Sequence, residues 1–200
     1  MNIDLKKNRA QILELLSGER FSKLVDFLNA SDYFEAPASA RHHLNVEGGL
    51  AQHSLNVYHL LRDRVEYYDQ YYGHKGLLLH KIPEGTIRLT ALCHDLCKVD
   101  FYAEEQAWRK DDRGKWESYT RFGYDDAFPL GHGEKSVILL QRILPLSMQE
   151  TLMIRWHMGV PSEYSAGMAY SRACEMEPGV VLLHSADAES IVFLEREESQ

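Results

Sequence analysis

Apolar residues recur every three or four positions along most of this chain, and this spacing constrains the fold more than any other feature of the sequence. In the segment after Gly48 and Gly49, for example, Leu50, His53 and Val57 share one stripe. Such a period buries one face of an α-helix, whereas a half-buried strand alternates every second residue. The pattern predicts helices over residues 2–17, 19–30, 48–72, 83–99, 133–144, 146–157 and 178–196, and a short one near 166–174.

Residues 101–131 interrupt this helical pattern. Aromatic and basic residues between Trp108 and Tyr119 flank the sequence Asp112-Arg113-Gly114, which predicts two short strands joined by a turn. Two hundred residues are enough chain for one sizeable core. We therefore expect a single all-α domain over residues 1–200, with a small β-hairpin or loop insertion near residues 101–131.

The composition limits the partners of the chain. The net charge of −8 disfavours stable binding to duplex DNA, because contacts to phosphates need clustered cations. No apolar run is long enough for a membrane helix, so we expect no membrane partner, and the N-terminal residues lack the apolar core of an export signal. Three cysteines in such a chain indicate reduced thiols, so we expect a cytoplasmic protein without a disulfide framework.

The pair His94-Asp95 lies near the end of a helix that the pattern predicts to be buried. An imidazole and a carboxylate at such a place need a cation or a partner, because an uncompensated buried carboxylate is costly. Asp187 raises the same question, since it shares an apolar face with Leu183 and Ile191. A hydrogen bond, an ion pair or a metal ion would each satisfy it.

Three histidines elsewhere in the chain are further candidate ligands. His53 lies on the apolar stripe of the long helix, His132 stands between two glycines before a helix, and His157 ends a helix. Each also has an ordinary explanation, as a satisfied core histidine, a helix start or a cation at a helix C-terminus. Together with His94-Asp95 and Asp187 they are spread over several helix ends, and helical bundles build metal sites from such positions.

The order of these residues resembles the HD-domain superfamily of metal-dependent phosphohydrolases. The matching segments are Gly48-Gly49-Leu50-Ala51-Gln52-His53-Ser54-Leu55 for the first-histidine helix, His94-Asp95-Leu96-Cys97-Lys98 for the His-Asp-x-x-Lys signature, Gly131-His132-Gly133-Glu134 and Trp156-His157 for the third and fourth histidines, and Ala186-Asp187-Ala188-Glu189-Ser190 for the closing aspartate helix. The resemblance implies a metal-binding core over residues 41–196 with the helices of residues 1–40 as an extension.

One departure from the family pattern concerns Cys97, where relatives often carry glycine. Cys93 and Cys97 are four residues apart and would also suit a second metal pair. We interpret both as small core residues, because free cysteine behaves as a small hydrophobe.

The resemblance implies six metal ligands. His53, His94, Asp95 and Asp187 correspond to the ligands of a first ion, and His132 and His157 to those of a second ion, with Asp95 bridging the two. A histidine-rich, carboxylate-bridged set suits iron, manganese, zinc or cobalt better than magnesium. The expected cofactor is therefore two divalent transition-metal ions, with magnesium or nickel as further options.

The resemblance also implies hydrolysis of a phosphomonoester or phosphodiester in a nucleotide-like substrate, or at the end of a short oligonucleotide. A hydroxide bridging the two ions would be the nucleophile, with Asp95 and Lys98 as the catalytic residues. Lys98 would orient the phosphate or help to protonate the leaving group. His42, His43 and Arg109 are the candidate substrate-binding residues, and a solvated loop would explain the two histidines equally well.

Two other classes of function fit the same residues. An HD-type di-iron oxygenase, similar to myo-inositol oxygenase, would use the six ligands to consume oxygen. A non-catalytic nucleotide-binding module is the third alternative, and it would have little need for a complete ligand set.

Overall fold

The computed structural model describes residues 3–73, 82–160 and 164–196. Within these residues the chain forms eight helices and one antiparallel hairpin of two strands, so the predicted helical class with a small hairpin insertion is confirmed. The elements are α1 (Leu5–Leu15), α2 (Ser22–Ala30), α3 (Gly49–Tyr72), α4 (Glu84–Cys93), β1 (Tyr102–Lys110), β2 (Trp116–Tyr124), α5 (His132–Gln141), α6 (Met148–Arg155), α7 (Tyr164–Met176) and α8 (Gly179–Glu189).

Helix α3 is the centre of the core and packs against α1, α4 and α8. Its predicted stripe is buried, and Leu50, His53, Val57 and Leu61 expose no surface at all. Burying each large aliphatic side chain contributes about 1.5–3 kcal/mol of stability, which fixes this face of α3 inwards. One histidine is thereby carried into the interior together with the leucines. No helix of the described residues combines the length and the apolarity needed to cross a membrane.

The start of α3 depends on two glycines. Gly48 has a φ of 76°, in the left-handed region that glycine adopts without strain. A Cβ on Gly49 would overlap the carbonyl oxygen of Leu44 and lie 2.8 Å from the backbone nitrogen of Ala38. The Gly-Gly pair therefore lets the loop before α3 press directly against the first turn of the helix.

Helix α4 ends earlier than the sequence pattern predicts. The pattern places a helix over residues 83–99, whereas α4 stops at Cys93 and a short 3₁₀ turn follows over Leu96–Lys98. A contact distant in sequence stabilises this end, because the hydroxyl of Tyr33 donates a 2.6 Å hydrogen bond to the carbonyl oxygen of Leu92. The change of direction leaves His94 and Asp95 buried between the helices.

The last predicted helix also changes character before its end. Helix α8 gives way at Ser190 to a wider π-helical turn over Ser190–Leu194. The wider turn alters which positions face inwards, and Glu195, which follows it, is only 3% exposed.

The hairpin of β1 and β2 pairs Tyr102 with Tyr124 at its base and Lys110 with Trp116 at its tip. The predicted turn between the strands is present. Its Asp111 carboxylate accepts hydrogen bonds from the backbone N–H groups of Arg113 and Lys115 at 2.9 and 2.8 Å. Most hairpin side chains face solvent, so the hairpin is an addition to the helical core and not part of it.

Candidate metal centre

Four predicted ligands meet where α3, α8 and the end of α4 converge. Nε2 of His53 lies 3.1 Å from Nε2 of His94, 3.3 Å from Oδ1 of Asp187 and 3.5 Å from Oδ2 of Asp95. All four side chains are buried. Three elements far apart in sequence thus bring one further imidazole and two carboxylates around Nε2 of His53 in the core.

The two remaining predicted ligands lie near the other carboxylate oxygen of Asp95, Oδ1. His132 is the first residue of α5, and its Nε2 lies 2.6 Å from Oδ1 of Asp95. His157 follows the end of α6, and its Nε2 lies 3.4 Å from the same oxygen. His132 is partly accessible to solvent, whereas His157 exposes none of its surface.

Asp95 is therefore the common neighbour of the four histidines of the cluster. Its Oδ2 atom faces His53, as well as the ammonium group of Lys98 at 2.6 Å, and its Oδ1 atom faces His132 and His157. A carboxylate with different groups at its two oxygens has the arrangement needed to bridge two cations.

The hydrogen bonds of the imidazole Nδ1 atoms decide which nitrogen is free to bind a metal. His94 and His157 each donate from Nδ1 to a backbone carbonyl, of Ala91 at 2.8 Å and of Ile154 at 2.7 Å. A carbonyl only accepts, so in the neutral rings both Nε2 atoms carry lone pairs. Nε2 of His157 is buried and has no hydrogen-bond partner in the described residues.

Two Nε2 lone pairs that point at each other repel, unless a positive charge lies between them. At 3.1 Å, His53 and His94 therefore need either a proton or a metal ion between their Nε2 atoms. Bonds of about 2.0–2.2 Å from a metal ion to nitrogen and oxygen ligands place neighbouring ligand atoms about 3.0–3.5 Å apart. The separations around His53 Nε2, from 3.1 to 3.5 Å, fit a bound metal ion.

Sequence reasoning missed Glu195, which holds the other side of His53. Its carboxylate oxygens lie 2.9 and 3.1 Å from Nδ1 of His53, and Oε1 also accepts a 2.9 Å bond from the side-chain amide of Asn56. The amides of Asn8, Gln52 and Asn56 form a chain of hydrogen bonds that leads from α1 to this carboxylate. A carboxylate behind a metal-binding histidine fixes the tautomer and makes the ring more basic.

The surroundings of His94 and His53 shift the pKa values of these two histidines in opposite directions. Burial lowers the pKa of His94 to about 4, so its ring is neutral at neutral pH. Burial also acts to lower the pKa of His53, but hydrogen bonds to Asp187 and Glu195 outweigh it and raise the value to about 9. His53 therefore retains a proton that a bound metal ion would displace.

The two aspartates of the cluster are ionised. Burial would raise the pKa of Asp95, but Lys98 and the surrounding histidines hold it well below the ordinary value. Burial acts on Asp187 in the same way, and its hydrogen bond to His53 together with the nearby imidazoles lowers the pKa below the ordinary value. Ionised carboxylates are the form that a metal ion requires.

The candidate substrate-binding residues lie in different surroundings. His43 is near the cluster, with Nε2 buried, without a hydrogen-bond partner in the described residues and 3.9 Å from Oε2 of Glu195. His42 is exposed, and both histidines line a cleft of about 740 Å³ that Glu195 and Arg196 also line.

The structure does not bring Arg109 to this cluster. Arg109 is exposed near the tip of the hairpin, where its guanidinium group donates a 2.7 Å bond to Glu117. It is seven residues along β1 from Tyr102, a distance of about 23 Å at the rise of a strand. A substrate would have to reach far along the hairpin to touch both Arg109 and the metal-ligand candidates.

The two cysteines of the His-Asp segment are buried, as expected for small core residues, but one of them also touches the cluster. Cys97 Sγ lies 3.4 Å from Nδ1 of His132, and the backbone N–H of Cys97 donates to Ser136. His184 donates a 2.7 Å hydrogen bond to the carbonyl oxygen of His157. The contacts of Cys97 Sγ and of His184 each reach a histidine of the cluster.

No family model, curated protein or solved structure matches this chain. The site is thus defined by its own geometry. The molecule is a helical protein with buried clusters of histidine and aspartate able to hold metal ions, and these clusters overlap at His53, His94 and Asp95.

Proposed function

We propose that this chain is a metal-dependent phosphohydrolase of the HD type. In this proposal His53, His94, Asp95 and Asp187 bind one divalent ion, and His132 and His157 bind a second that shares Asp95. Iron, manganese, zinc or cobalt are the preferred ions. The substrate is a phosphomonoester or phosphodiester of a nucleotide-like molecule.

The position of Asp95 is the observation that carries this proposal. The carboxylate is buried and ionised, and five cationic or metal-binding side chains surround its two oxygens. A buried charge of this kind is tolerated only when it is paired or bound to a metal. Histidine-rich surroundings, with the buried Nε2 of His157 lacking a hydrogen-bond partner in the described residues, favour the metal.

The chemistry that such ions supply is polarisation of a phosphate and activation of a water molecule at neutral pH. The residues of the chain hold the reacting groups in place. Asp95 maintains the spacing of the two histidine groups, and Lys98, fixed at 2.6 Å from Asp95, offers an ammonium group to a phosphate oxygen or to the leaving oxygen. Burial acts to lower the pKa of Lys98, but Asp95 outweighs it and keeps the group protonated.

The cleft beside His43 supports a substrate of nucleotide size. Its volume of about 740 Å³ lies within the range of about 300–1,000 Å³ that small-molecule sites occupy. Leu44, Val46 and Ile191 give it apolar surface, and Asn45 offers an amide for hydrogen bonds. We assign the organic part of the substrate to this cleft, with His42 at its rim and His43 on its wall.

Release of phosphate or of a phosphate ester by the purified full chain tests the proposal. A panel of nucleotides, cyclic nucleotides and short oligonucleotides is assayed with manganese, zinc, iron or cobalt. Hydrolysis should appear with at least one metal and vanish in Asp95→Ala, whereas Asp63→Ala, a change at an exposed aspartate, should keep it. Full activity in Asp95→Ala would contradict the mechanism, and oxygen consumption without hydrolysis would favour the di-iron oxygenase.

A further inference from the structure

A second, smaller pocket lies beside the cluster, at the first turn of α5. It encloses about 90 Å³, the volume of about three water molecules, so it accepts a phosphate group but not a nucleoside. Its walls include Cys97, Lys98, Phe101, Asp126, His132 and Lys135.

Two of these residues are lysines, and both are buried to an unusual degree. Lys98 is 9% exposed and Lys135 is 7% exposed, although lysine is almost never buried without a partner. The ammonium group of Lys98 contacts Asp95, and that of Lys135 contacts Asp126 at 2.5 Å and lies over the ring of Phe101.

Each ammonium group keeps unused hydrogen-bonding capacity. An ammonium group has three donors, and a single carboxylate partner is found for each lysine among the described residues. The pocket also adjoins the N-terminus of α5, where no side chain caps the first backbone N–H groups. These groups and the positive end of the helix dipole favour an anion at the same place.

Asp126 differs from the other charged residues of the pocket. It is exposed and belongs to the segment that links β2 to α5, whereas Lys135 is fixed within α5. The pair of Lys135 and Asp126 can therefore open without disturbing the core. An anion entering the pocket would replace the carboxylate of Asp126 with its own oxygens.

We infer that Lys98 and Lys135 hold the phosphate group of the substrate in this pocket. Until the phosphate binds, the carboxylate of Asp126 forms an ion pair with Lys135. The inference rests on the proposed function, because it places the substrate phosphate beside His132 and Asp95. It adds Lys135 to the substrate-binding residues and gives Asp126 the role of an internal competitor.

Binding of inorganic phosphate to the purified full chain, measured by isothermal titration calorimetry, tests this inference. Lys135→Met should weaken phosphate binding about 10-fold or more, because a charge-assisted hydrogen bond is lost. Lys135→Arg should restore much of the affinity. Lys110→Met, which removes an exposed lysine of the hairpin, serves as the matched control and should leave the affinity unchanged.

The variant Asp126→Asn separates a binding role of Lys135 from a purely structural one. Removal of the competing carboxylate should tighten phosphate binding by roughly 2- to 5-fold, the worth of an accessible ion pair. If Lys135 had only a structural role, Asp126→Asn would not increase the affinity for phosphate. Because Asp126 is exposed, this variant also decides the matter if Lys135→Met fails to fold.

The inference is overturned if the wild-type chain does not bind phosphate, or if Lys135→Met and Asp126→Asn both bind it as the wild type does. Metal content and ester hydrolysis are measured separately. A chain that binds phosphate through Lys135 but hydrolyses no ester would contradict the proposed function and support the pocket.

Discussion

At the scale of single residues, Glu195 determines how His53 is oriented. It accepts from Nδ1 of His53 and so leaves Nε2 to face Asp187 and Asp95. Replacement by Gln removes the charge behind the ring while keeping its shape. We expect Glu195→Gln to lower metal affinity by about 10- to 100-fold in chelator competition.

The matched control for this change is Glu175→Gln, at an exposed glutamate of α7. Its metal affinity should equal that of the wild type. Equal affinities for Glu195→Gln and Glu175→Gln would show that Glu195 does not position His53.

The pKa of His53 predicts a pH dependence of stability in the metal-free protein. The value is about 9 in the folded chain and about 6.5 in the unfolded chain, because the bonds to Asp187 and Glu195 outweigh burial. A raised folded-state pKa adds stability that is fully present below pH 6.5 and is lost as the pH rises through 9. Denaturant unfolding in chelator should show this decline in the wild type and not in His53→Gln.

The six candidate ligands could be singled out in the sequence because each stands in a local pattern, such as His53 in an apolar stripe or His94-Asp95 at the end of one. Glu195 could not. It follows a π-helical turn that shifts the helical register, and it stands in a charged C-terminal segment that reads as solvent-exposed. Its partner, His53, is 142 positions away.

At the scale of elements, the hairpin β1–β2 is separable from the core. Its side chains face mainly solvent, with Trp108 65% exposed and Trp116 60% exposed. Replacement of residues 104–122 by a short Gly-Ser linker should therefore change the melting temperature by less than about 3 °C, as exposed changes do. Metal affinity should stay at the wild-type value.

Circular dichroism melting and chelator competition check this deletion. A large loss of stability or of metal binding would mean that the hairpin is part of the core. A loss confined to substrate affinity would instead support Arg109 as a substrate-binding residue.

The sequence predicts the helices better than their ends. Periodicity identifies α3 because its stripe faces one core throughout, and Asp112-Arg113-Gly114 identifies the hairpin turn. The end of α4 depends on Tyr33, whose contact with Leu92 spans 59 residues of chain. A periodic pattern contains no information about such a contact, so the predicted helix continues too far.

At the scale of the whole molecule, the cluster joins side chains from five parts of the core. His53 comes from α3, the His94-Asp95 pair follows α4, and His132, His157 and Asp187 come from α5, the end of α6 and α8. An ion bound by these residues ties the elements together. A ligand at 100 times its dissociation constant stabilises the folded state by about 2.7 kcal/mol.

Removal of metal by a chelator should therefore lower the melting temperature by about 5–10 °C. The same treatment should leave the melting temperature of Asp95→Asn unchanged, because this variant lacks the carboxylate that the two ions would share. Calorimetric melting with and without chelator makes the comparison. An unchanged melting temperature of the wild-type chain in chelator would show that no ion stabilises the fold.

The number of metal ions bound per full chain decides between a two-ion site and a cluster without metal. The protein is dialysed to equilibrium against manganese or zinc and analysed by plasma mass spectrometry, beside Asp95→Ala and the control Asp63→Ala. We expect two ions per chain in the wild type and in Asp63→Ala, and loss of both in Asp95→Ala. A wild type without bound metal, or an Asp95→Ala variant that keeps two ions, would contradict this expectation.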